Sequence, residues 1–127
     1  MSDLASSRPS ARELNAAVAR AIVRVHRSTA GRGPTKGQAF FHNNVLVVVL
    51  EDAMTVSERT LAADGRHEAA RRARDELHSA MKPQMIAAIE ELTGRTVLAC
   101  LGDSQTEPDV VAEVFLLDGP VAADPLA

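Results

Sequence analysis

The charged residues of this chain that could do chemistry fall into three groups. The first is the loop Gly31-Arg-Gly-Pro-Thr-Lys36. Glycines let backbone N–H groups approach an anion, and Arg32 and Lys36 add positive charge. Gly31, Arg32, Gly33, Thr35 and Lys36 thus make a candidate anion- or partner-binding loop. The G-x-x-x-x-G-K-[ST] order of a nucleotide-binding P-loop is absent, and a helix stop with solvated charges explains the same residues. The second group is Arg20, Arg24 and Arg27, whose spacing places them on one face of a helix. That face could dock on an acidic protein, anionic lipid or RNA, or simply be solvated. The third is acidic: Glu51 and Asp52 close an apolar run, and Asp103, Glu107 and Asp109 crowd a later loop. Carboxylates so placed can hold a hard cation or only keep a loop soluble.

No catalytic constellation stands out. His26, His42, His67 and His78 are scattered, and no pair has the spacing of a metal site on one helix. His42, between Phe41 and Asn43 at a turn, is the most interesting of them. Cys100 lies in an apolar run without an activating neighbour, which reads as a buried, inert thiol. The sequence therefore points away from an enzyme and calls for no cofactor and no metal.

Secondary-structure signals position these groups. Ser10 with Glu13 makes a capping box. Leu14, Val18, Ile22 and Val25 then repeat at helical spacing until Gly31, Gly33 and Pro34 end the helix. Gln38–His42 and Val45–Glu51 read as strands around an Asn43-Asn44 turn. Val45–Leu50 is apolar at every position, as in a strand covered on both faces. Met54–Ala63 reads as a short helix capped by Thr55 and Glu58, and residues 66–92 as a long one with Leu77, Met81, Met85, Ile89 and Leu92 as its stripe. Pro83 should kink or restart that helix. Val97–Leu101 and Val110–Leu117 are the last strands, joined by a polar loop. The expected fold is α+β in the order α-β-β-α-α-β-β, a four-stranded, mainly antiparallel sheet with helices on one face. Its uncovered face, through Val45, Val47 and Val49, is then an oligomer or partner surface. The two halves share a loose helix-turn-strand-loop-strand pattern.

Composition bounds the class. The 127 residues suit one domain over residues 10–118, with a disordered lead-in at 1–9 and a flexible tail at 119–127. Three Phe and no Trp or Tyr count against a base-stacking surface, so no DNA or RNA partner is expected. A lone cysteine and the lack of a signal-like or membrane-spanning run fit a cytoplasmic protein. The net charge of −3 is uneven: residues 1–36 carry seven basic and two acidic residues, residues 37–127 seven basic and fifteen acidic.

One set of segments resembles a known family. Gly31-Arg-Gly-Pro-Thr-Lys36, Val45-Leu-Val-Val-Val-Leu-Glu-Asp52, Thr55-Val-Ser-Glu-Arg-Thr-Leu61, Glu90-Glu-Leu-Thr-Gly-Arg95 and Pro108-Asp-Val-Val-Ala-Glu-Val-Phe115 together resemble the MpsC family. These are small bacterial single-domain proteins named for the C component of a sodium-translocating, membrane-potential-generating system. The resemblance spans about residues 10–118, with Gly37 and Phe40-Phe41 departing from the family pattern. It implies a link to membrane cation or inorganic-carbon transport and supplies no catalytic residues. With no spanning segment, the expected role is a soluble accessory or regulatory module, the expected partners being a second copy and a membrane transport subunit. The alternative is a small-ligand or ion sensor using the Gly31–Lys36 loop, or a cation held at Glu51, Asp52 and Asp103.

Overall fold

The structure, a computed structural model, describes residues 9–122. The expected lead-in lies outside these residues except for Pro9, and so does the tail beyond Ala122. Seven elements follow in the order expected: α1 (Ala11–Ala30), β1 (Lys36–His42), β2 (Val45–Glu51), α2 (Val56–Ala63), α3 (His67–Thr93), β3 (Val97–Thr106) and β4 (Asp109–Leu117).

Local chemistry sets the boundaries. Ser10 Oγ accepts from the Glu13 amide at 3.0 Å, and Glu13 Oε1 accepts from the Ser10 amide at 3.2 Å. This reciprocal cap satisfies two orphan donors at the start of α1. Gly31 ends the helix in the left-handed region, φ 82°, where a side chain would be strained. Thr55 and Glu58 cap α2 in the same reciprocal way. Asn43, at φ 59°, makes the tight turn between β1 and β2.

Two expectations need correction. Pro83 does not restart the long helix, which runs as one element from His67 to Thr93. Pro83 lies on the exposed side of the helix, away from the core. The last two strands are also longer than the apolar runs implied. Most of the expected polar loop continues the ladder, with Gly102, Asp103, Ser104, Gln105 and Thr106 all paired to β4. Only Glu107 and Pro108 remain as the turn. Ladder hydrogen bonds come from the backbone, so polar side chains on an edge strand do not prevent pairing.

The four strands form one antiparallel sheet in the order β1-β2-β4-β3. Each half of the chain supplies one edge strand and one central strand. The core lies between the sheet and the helices: Leu14, Val18 and Ile22 of α1 and Met81, Met85 and Ile89 of α3 meet Leu46, Val48, Leu50, Val111, Phe115 and Leu117. Near the C-terminus Val121 packs against this core, and its amide donates to the Asn43 carbonyl at 3.0 Å. No helix among the described residues is long and apolar enough to cross a membrane.

Candidate functional site

The two faces of the sheet differ. On the outer face, register brings Phe40, Val47, Val114 and Leu101 into one row across all four strands. The neighbouring row is His42, Val45, Leu116 and Ala99. No helix among the described residues covers these rows. Phe40 is 51% exposed and Leu101 66%. Val45, Val47 and Val49 are half-buried, because their flanks pack on one another across strands. The next rows turn polar at their ends, with Gln38 and Asp103, then Lys36, Glu51 and Gln105. The result is an apolar band with a polar rim on one side.

The inner face carries a polar cluster that sequence reasoning missed. Glu113 projects inward between Val111 and Phe115 and is fully buried. His78 Nε2 donates to Glu113 Oε1 at 2.8 Å, while Oε2 is buried with no partner among the described residues. This close approach needs a glycine opposite: a Cβ at Gly102 would stand 2.3 Å from Glu113 Oε1 and 2.8 Å from His78 Nε2. Nearby, Arg74 Nε donates to Glu58 Oε2 at 2.7 Å in a second, buried ion pair. Glu58 Oε1 accepts from the Thr55 amide, so one carboxylate both caps α2 and holds α3. The inward positions of β3 beside this cluster are small, Gly102 and Ser104, and leave a cleft against α3. Cavities of about 190 Å³ and about 280 Å³ line it, both bordered by Arg74 and Ser104.

Titration follows from this geometry. The hydrogen bond to Glu113 raises His78 above its ordinary value, against the opposing effect of burial. Burial pushes His26 down to about 4, assisted by the charge of Arg74. Burial and the Glu113 charge raise Cys100 to about 11, so its thiol is protonated at neutral pH. The signals for this cluster were a single acid inside the apolar run Val110–Leu117 and a glycine inside a strand. Neither reveals its partner.

The groups singled out from sequence lie elsewhere. Arg32 turns back on the protein: Nη1 donates to the carbonyls of Asp52 at 2.9 Å and Met54 at 2.6 Å, and Nη2 to Asp52 Oδ2 at 3.1 Å. It ties the entry to β1 to the exit of β2. Lys36 pairs with Glu51 at 3.4 Å. Asp52 also pairs with Arg59, which reaches Asp109 Oδ2 at 3.5 Å. Asp103 stands apart on β3, within 4.0 Å of Arg71, so the structure does not gather Glu51, Asp52 and Asp103. Among the described residues, no group of three or more His, Cys, Asp or Glu is placed to hold a metal ion. His42 and the row Arg20, Arg24 and Arg27 are exposed.

A family model described as the Na+-translocating membrane potential-generating system (MpsC) matches residues 10–119 of the chain. No curated protein and no solved structure matches it.

Proposed function

We propose, from the premise that the chain belongs to the MpsC family, that it is a non-enzymatic, cytoplasmic accessory module of a membrane cation or inorganic-carbon transport system. It works through protein–protein contacts, as a homodimer formed by the outer sheet face. The observation that carries this reading is the apolar row Phe40, Val47, Val114 and Leu101, left open by the chain's own helices. A contiguous apolar patch rimmed by polar groups is the usual mark of an interaction surface. Two copies of one face can pack on a two-fold axis, each row crossing its equivalent.

Light scattering tests it. Wild type should run at twice the chain mass at micromolar concentration. Leu101→Glu and Phe40→Ser should run at the monomer mass with unchanged circular dichroism, because both side chains are already exposed and add no buried charge. A wild type that stays monomeric at high concentration removes the dimer.

A second reading, a small-ligand sensor, rests on the open cleft between α3 and β3, bordered by Arg71, Arg74, His78 and Ser104. It predicts a raised melting temperature with some small anion or zwitterion, lost in Ser104→Phe. A screen without any such shift removes it.

A further inference from the structure

Residues 14–50 contain no Asp or Glu but hold Arg20, Arg24, Arg27, Arg32 and Lys36. Two of these five cations are neutralised inside the domain, Arg32 by Asp52 and Lys36 by Glu51. Arg20, Arg24 and Arg27 have no carboxylate within ion-pair distance among the described residues. They follow one another at four- and three-residue steps along α1, rises of about 6 Å and about 4.5 Å. All three line a single groove of about 480 Å³, with Val23, Pro34 and Gly37 among its apolar lining.

The groove opens where β1 begins. A Cβ at Gly37 would stand 3.2 Å from both Val23 and Leu50, so this glycine lets the strand settle close on α1. β1 is an edge strand whose only ladder partner among the described residues is β2. Its other edge carries backbone donors and acceptors free to pair with an added strand. A row of uncompensated cations and an open strand edge thus border the same groove.

We propose that this groove docks an extended acidic segment of a partner protein, which adds as a fifth strand beside β1 and sets alternate carboxylates against Arg20, Arg24 and Arg27. The spacing suits this occupant. Side chains on one side of a strand recur about every 6.6 Å, near the step of about 6 Å from Arg20 to Arg24, and the long arginine side chains span the difference at the shorter step to Arg27. Backbone pairing gives such a segment affinity and the charges give it selectivity. A bilayer surface fits less well, because Leu14, Val18 and Ile22 of α1 are buried in the domain core and cannot enter lipid. The proposal rests on the reading that the protein acts through protein contacts. It assigns the partner a surface distinct from the apolar face.

The test is fluorescence anisotropy of the full chain with a labelled, alternating Glu–Val peptide at low salt. Saturable binding is expected, weakened about tenfold or more by Arg24→Glu or by Arg20→Glu with Arg27→Glu, a loss of about 1.4 kcal/mol or more. Arg72→Glu, at an exposed arginine of α3, should leave binding unchanged. Methylating alternate backbone nitrogens of the peptide should weaken it as much as the arginine variants do. The proposal is overturned if the matching Gln–Val peptide binds equally, if Arg72→Glu weakens binding as much as Arg24→Glu, or if methylation has no effect. It is also overturned if the peptide does not bind while anionic vesicles bind through the same arginines. Light scattering on the same samples separates the two ideas. A dimer without peptide binding defeats only the docking proposal, and peptide binding by a monomer defeats only the dimer.

Discussion

Strands β3 and β4 present opposite chemistry on their two sides, one residue apart. Leu101 faces Val114 on the outer side, and the next pair, Gly102 and Glu113, faces inward under His78. The outer pair is apolar and reaches solvent. The inner pair is polar and, at Glu113, wholly buried. That inverts the usual arrangement, in which a half-covered sheet is apolar inside and polar outside. An apolar group left in water costs little by itself and gains by association. A buried carboxylate is tolerated only while paired. The inner side is therefore committed to its own partners, and the outer side is open to another molecule's.

This contrast can be broken or sharpened by mutation, with stability as the common readout. The largest effect should come from Arg74→Leu, which leaves Glu58, 2% exposed, without its cation. A loss of about 3–5 kcal/mol is expected in a urea melt. A loss as small as that of a surface substitution would mean that Glu58 gives up its charge at little cost. Gly102→Ala comes next, at about 1–3 kcal/mol, because the added methyl must displace Glu113 or His78. Combining it with Glu113→Ala should recover part of that loss, and simple additivity would show that the methyl clashes with something else. The smallest effect belongs to the outer face, where Leu101→Glu should change monomer stability by no more than about 0.5 kcal/mol. A larger fall there would erase the distinction between the faces.

The pH profile sharpens the inner half. Because His78 is raised in the folded protein, its pairing contributes fully below pH 6.5, the ordinary histidine value. That contribution is lost as pH climbs through the raised value. His26 works in the opposite sense. Lowered to about 4, it contributes fully above pH 6.5 and loses that contribution as pH falls from 6.5 toward 4. Urea melts across this range should show both limbs, and Glu113→Gln should flatten the alkaline one. A Glu113→Gln profile that overlays wild type would show that the His78 charge is held by something other than Glu113.

Much of the frame was legible because its causes are local. Ser10 with Glu13 and Thr55 with Glu58 act over three residues, and Asn43 sets its own turn. The strand Val45–Glu51 declared itself by composition, and the resemblance carried by five segments is matched by the family model across residues 10–119. Length and polarity misled where a neighbour supplies what the segment lacks, as β4 does for the polar half of β3.

The sequence alone determined where the helices start and stop and the tight turn at Asn43, because each depends on residues within a turn or two of one another. Only the tertiary structure decided that β4 lies between β2 and β3. That placement lines up Phe40, Val47, Val114 and Leu101 from four separate strands and sets Glu113 against a histidine 35 residues away. Such pairings arise when distant segments bury one another's surfaces, and no short-range propensity encodes which strand a given strand will meet.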